Sequence, residues 1–243
     1  MKIKKRIVSL LLAVLTLAAL LPGAFADNTV TASNPAQVLD LALRSGYGPL
    51  TIARTELHRG RGTEEVYLIA VSGAKLSLSR TNSYPAFIIS ALSLPSACLA
   101  MVIDAVKKTV PAGSKIMLIG HSVGGNIVQQ FAAELGMRKR YEIINTVTCG
   151  SPLVLTLGCE GGLHRLCDLR DPIPMLSLAT ALNLFVCANY GVSGSFLLNP
   201  HAESYYREDI WGGYDCLGVK GGNAYLTCDM GSLVAFPLTL FPF

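Results

Sequence analysis

Apolar and polar positions repeat with two different periods along this chain, and the switches between them map it. After Asn34-Pro35, a helix cap with proline at the first helical position, apolar residues recur at helical spacing to about Arg44, and Gly46 ends the run. Thr51–Arg59 and Glu65–Val71 alternate with the two-residue period of strands, and Gly60-Arg61-Gly62 between them predicts a hairpin. Leu94–Val110 returns to helical spacing. Leu99, Val102, Ile103 and Val106 share one face, Lys107-Lys108 sit in the last turn, and Pro111-Ala112-Gly113 stops the helix. Lys115–Ile119 is a short apolar strand, Ile127–Leu135 a helix ended by Gly136, and Ile143–Cys149 and Leu163–Leu169 are further strands. Strands alternating with helices predict an α/β protein, its mostly parallel central sheet flanked by helices. Beyond Leu176 the pattern resolves no elements.

The first 26 residues obey another logic. Lys2 to Arg6 are basic, Ile7 to Leu21 are almost wholly apolar, and Pro22-Gly23 break the run before Ala24-Phe25-Ala26. That is the layout of a secretory signal peptide cut after Ala26, so export to an extracellular or periplasmic location is expected. An uncleaved anchor is the rival reading, but the apolar run, at 1.5 Å per residue, falls short of a bilayer core of about 30 Å. No later segment reads as a membrane span.

Composition sharpens this picture. The chain has 243 residues, 51% hydrophobic and 15% charged, which excludes a disordered protein. Lys2, Lys4, Lys5 and Arg6 account for the whole net charge of +4, since the remaining 16 Lys and Arg balance 16 Asp and Glu. A basic face for nucleic acid is therefore not expected. No linker, charge block or repeat divides residues 27–243, which read as a single domain. All seven cysteines follow the leader, where disulfides persist after export. Cys159 with Cys167, and Cys216 with Cys228, flank glycine turns and are candidate local bridges. An odd count leaves one thiol over. The absence of a Cys-x-x-Cys pair argues against zinc.

The chemistry concentrates at Gly120-His121-Ser122-Val123-Gly124, a G-x-S-x-G pattern between the strand 115–119 and the following helix. In such a nucleophile elbow the serine stands in a strained turn above the sheet, and glycines two residues away leave room for the tight chain path. A serine nucleophile needs a base, and the base an orienting acid. Of four histidines, His121 neighbours the serine and is expected to point away from it, His58 precedes the elbow, and His164 precedes the best acid. The order Ser…Asp…His leaves His201. Asp171, after the strand 163–169, is the candidate acid, with Asp168 as the fallback. Such a site needs no cofactor or metal.

Four segments together resemble the fungal-lipase-like (class 3) family of secreted serine hydrolases: Val66–Ala74; Ile116–Gly125; Val147-Thr148-Cys149-Gly150-Ser151-Pro152; and Arg170-Asp171-Pro172-Ile173-Pro174 followed by His201 and Tyr205. The resemblance spans roughly residues 50–206 and implies an α/β-hydrolase fold. It implies catalytic roles for Ser122, Asp171 and His201, and an oxyanion hole from the backbone N–H groups of Val123 and Ala74. Where the family usually has Gly followed by Ser or Thr, this chain has Gly73-Ala74, so a side-chain donor worth about 10²–10³ in rate is missing. Tyr84–Pro95 matches the family's lid position and reads equally as lid or as core. Leu233–Phe243 reads as docking on the core ahead of touching lipid. The function implied is a lipase or carboxylesterase acting on acylglycerol or phospholipid esters, with lipid or another ester as partner, if need be at a lipid–water interface. An acyltransferase and a catalytically silent binding protein are the alternatives.

Overall fold

Strands buried on both faces need apolar residues at nearly every position, and those facing water on one side need only every other one. This chain builds both kinds into one sheet. The computed structural model describes residues 28–44, 49–73, 97–154, 159–176, 188–191 and 199–236. Its strands are β1 (Thr29–Ala32), β2 (Leu50–Arg59), β3 (Gly62–Val71), β4 (Lys115–His121), β5 (Glu142–Cys149), β6 (Gly162–Asp168), β7 (Ala188–Gly191), β8 (Tyr225–Asp229) and β9 (Val234–Phe236). Among the described residues they form one sheet in the order β1-β8-β2-β3-β4-β5-β6-β7, with β9 beside β2. From β3 to β7 every pairing is parallel, whereas β1, β8, β2 and β9 add antiparallel pairings at the other side.

The helices are α1 (Pro35–Leu39), α2 (Ala97–Thr109), α3 (Val123–Ala133), α4 (Leu135–Arg140), α5 (Pro200–Glu203) and α6 (Glu208–Trp211). Within β4, Ile116 and Leu118 face a core shared with Val102 and Val106 of α2 and Ile127 and Phe131 of α3. Met117 and Ile119 face the opposite core, shared with Val38 and Leu39 of α1, Tyr205 and Trp211. Asn34 caps α1 by accepting the Gln37 N–H at 3.0 Å, and a π-helical turn carries the chain on through Arg44. Glu208 at the start of α6 ties the two termini of this layer together, accepting from Asn34 Nδ2 at 3.3 Å and Gln37 Nε2 at 2.8 Å. The protein is mixed α/β, with a largely parallel central sheet flanked by helices.

Three expectations change. The helix after the elbow starts at Val123, ends at Ala133, and is followed by a separate helix that contains Gly136. Glu134, extended at φ −73°, ψ 120°, breaks the two apart and caps the second by accepting the Met137 N–H at 2.9 Å. The local disulfides do not form: Cys98, Cys149, Cys159, Cys167, Cys216 and Cys228 make none with one another. Extended chain separates each expected pair. Strand β6 runs between Cys159 and Cys167, at about 3.3 Å per residue. The Cys216 N–H donates to Ala224 O at 3.2 Å, and Cys228 lies four residues further along the chain from Ala224. Finally, the described residues past Leu176 contribute β7, α5, α6, β8 and β9, none of these longer than five residues, which is too short for a period to register.

The expected signal peptide (residues 1–26), Ala74, the segment Tyr84–Pro95, Cys187 and the last residues of Leu233–Phe243 lie outside the described residues. No helix among the described residues is long and apolar enough to cross a membrane.

Candidate active site

The turn joining β4 to α3 holds Ser122 at φ 56°, ψ −127°, the one positive φ of a non-glycine residue among those described. Such a conformation costs of order 1–3 kcal/mol and persists only where the surroundings enforce it. Here the Ser122 N–H donates to Cys149 O at 2.9 Å, and the Gly125 N–H to Ser122 O at 3.0 Å. The glycines permit the close path: a Cβ on Gly120 would lie 2.5 Å from Gly124 O, and one on Gly124 2.1 Å from Val71 O. After β3 the chain crosses directly above the serine, so that a Cβ on Gly73 would meet Ser122 Cβ at 2.6 Å. Val123 is the first residue of α3, so its N–H has no intrahelical acceptor and sits at the positive end of the helix dipole.

A chain of short hydrogen bonds leads away from Ser122 Oγ. It lies 2.8 Å from His201 Nε2, and His201 Nδ1 lies 2.8 Å from Asp171 Oδ2. A carboxylate oxygen only accepts, so Nδ1 donates to Asp171; in the neutral imidazole this leaves Nε2 as the acceptor for the serine hydroxyl. The histidine is brought in by α5, whose cap Asn199 accepts the Ala202 N–H at 3.2 Å ahead of Pro200. Asp171 is brought in by the turn after β6, where its N–H donates to Asp168 O at 2.9 Å. Its Oδ1 accepts the Ile173 N–H at 2.9 Å, and its side chain is fully buried.

Asp168, the fallback acid, is not next to His201 in this hydrogen-bond chain. Its Oδ1 accepts the Arg170 N–H at 3.0 Å, while its buried Oδ2 has no partner. Chain direction explains the choice. Asp168 is the last strand residue, and only the turn three residues on brings a carboxylate round to α5.

Two residues act on this chain of bonds without a role read from the sequence. Tyr205, one helical turn after His201, donates its hydroxyl to Asp171 Oδ2 at 2.8 Å and accepts the Asp168 N–H at 3.0 Å. Burial and the neighbouring Asp171 push the phenol well above its ordinary pKa, so it remains a donor. The signal was the four-residue spacing His201…Tyr205, which puts both on one side of a helical turn. His121, the serine's sequence neighbour, packs its ring 4.9 Å from that of His201, and its Nε2 lies 2.8 Å from the His201 carbonyl oxygen. A carbonyl only accepts, so Nε2 carries the proton. Burial and the adjacent His201 hold His121 down to about 4, which keeps it neutral at pH 7.

Val123, expected in the oxyanion hole, lies beside the serine at the start of α3, while the second expected donor, Ala74, is outside the described residues. Among the described residues no group of three or more His, Cys, Asp or Glu is arranged to hold a metal ion. A hydroxyl bonded to a bare imidazole nitrogen, with a carboxylate behind the imidazole, can pass a proton inward as the oxygen attacks an electrophile. No protein-family model matches this sequence, and no curated protein or solved structure matches it.

Proposed function

We propose that this protein is an exported serine hydrolase of the α/β-hydrolase fold, similar to class 3 lipases, that cleaves carboxylic esters through an acyl-enzyme. The observation that carries the reading is the unbroken Ser122–His201–Asp171 hydrogen-bond chain starting at a serine held in a strained strand-to-helix turn. In the first half-reaction Ser122 Oγ attacks the ester carbonyl and gives its proton to His201 Nε2. The carbonyl oxygen gathers negative charge, for which the Val123 N–H is the available donor and the Ala74 N–H the expected second one. His201 then passes its proton to the departing alkoxide, and the alcohol leaves. Water repeats the sequence on the acyl-serine, releasing the acid and restoring Ser122. Asp171 keeps the imidazole in the tautomer that both steps require. The chemistry calls for no cofactor.

The substrate class rests on composition. Outside the leader the net charge is zero, and Tyr84–Pro95 and Leu233–Phe243 are apolar, which suits acylglycerol or phospholipid acyl esters. The basic, apolar and small-residue zones of residues 1–26 support export with cleavage after Ala26.

Covalent labelling tests the reading. A fluorophosphonate probe phosphonylates only an activated serine. Mass spectrometry should place one adduct on the peptide carrying Ser122, abolished in Ser122→Ala and greatly slowed in His201→Ala. A probe that leaves Ser122 unmodified in folded protein defeats the proposal.

A further inference from the structure

Strand β6 carries an arginine where a core residue is expected. Arg165 is 1% exposed and pairs across the sheet with Thr148 of β5, so both side chains rise from the same face. That face lies opposite Cys149 and Leu166, which belong to the core around Tyr205 and Trp211. Among the described residues one hydrogen bond engages the guanidinium: Nη2 donates to Ser151 O at 3.3 Å. Its Nε and Nη1 have no acceptor, and neither Thr148 Oγ1 nor the nearby Thr146 Oγ1 has a partner, although all are buried. No acid pairs with Arg165 among the described residues, which hold every Asp and Glu of the chain except Asp27. A buried charge without a counter-charge is strongly penalised, and so are buried donors without acceptors.

We propose that Arg165 and Thr148 form a binding site for a small oxyanion, a carboxylate or phosphate group that is not part of this chain. Such a group supplies both missing elements at once, a negative charge and several acceptors for the guanidinium and hydroxyl donors. The site adjoins the segment that presents the serine. Ser151, whose carbonyl Arg165 holds, lies against the first turn of α3, where a Cβ on Gly125 would sit 1.8 Å from Ser151 Oγ. Two sources fit the chemistry: a free ion, or the charged end of an ester whose carbonyl lies at Ser122. Only the second depends on the hydrolase reading.

Two experiments on the purified protein separate these. Thermal unfolding in rising phosphate or acetate, at ionic strength held with sodium chloride, reads the site without any activity. The wild-type Tm should climb with the logarithm of anion concentration, as for any ligand bound by the folded state alone. Arg165→Met should show a flat response and Thr148→Val a weakened one, the second variant serving if the first does not fold. Hydrolysis of a short acyl ester ending in a carboxylate, against the same ester ending in an amide, then identifies the source. A preference of tenfold or more for the charged ester, lost in Arg165→Met, assigns the anion to the substrate, while a Tm rise without that preference assigns it to a free ion. The site is overturned if wild type shows neither response, or if the response it shows persists unchanged in Arg165→Met.

Discussion

Asp171 accepts three hydrogen bonds, and each fixes a different part of the site: the His201 ring, the Ile173 amide and the Tyr205 hydroxyl. Asparagine at this position is isosteric but presents an N–H that competes for the tautomer, so Asp171→Asn should cut kcat by about 10⁴-fold. Asp168→Asn should leave kcat within a factor of a few, and equal losses in the two variants would assign the acid wrongly. Tyr205→Phe removes one donor to Asp171 and strands the buried Asp168 N–H. It should cost about 1–3 kcal/mol of stability in urea unfolding and lower kcat by roughly tenfold with KM unchanged. At this scale the sequence was informative about Ser122, Asp171 and His201, because their order and positions at element ends are visible in it. What Tyr205 and His121 touch was not, since each bonds a group 34 to 80 positions away that only the folded chain brings near.

At the scale of elements, the short α5 segment depends on its neighbours for rigidity. Trp211 of α6 is fully buried, stacks on Tyr205 with ring centroids 5.8 Å apart, and donates its Nε1–H to Ser204 O at 3.0 Å. Trp211→Ala should destabilise the protein by roughly 3–5 kcal/mol. Its residual activity at low temperature should also fall, because the ring that steadies Tyr205 is gone. Full activity per folded molecule would detach α6 from the site. The hairpin, the strands β4, β5 and β6 and the helix α2 were legible because each is long enough for its period to show. The described elements past Leu176 were not, being three to five residues long and placed by partners distant in the sequence: β8 and β9 by the antiparallel side of the sheet, β7 by parallel pairing with β6.

For the whole molecule, His121 links stability to pH. Its folded pKa of about 4 lies below the ordinary 6.5. The unfolded chain therefore takes up the proton first, so the stability from this group is complete above pH 6.5 and is lost as pH falls toward 4. In urea unfolding at pH 7 and pH 4.5, wild type should lose more stability between the two than His121→Gln, whose amide still donates to the His201 carbonyl without titrating. Equal losses would show that His121 does not titrate as its surroundings imply. The buried thiols make a second whole-molecule statement. Burial pushes Cys167 up to about 11 and Cys216 up to about 12, which leaves both inert in the folded state. The expectation of local bridges followed from glycine turns between cysteines, and it failed because strand geometry spreads the pairs apart.

The central claim is that Ser122 is the nucleophile of an ester hydrolase. Hydrolysis of a short soluble ester and an emulsified long-chain triglyceride by wild type and Ser122→Ala, side by side, tests it most directly. The account predicts turnover of at least one substrate by wild type and a loss of 10³-fold or more in the variant, as removal of a triad serine brings in general. Equal rates in the two proteins, or no turnover of either ester by folded wild type, would contradict it.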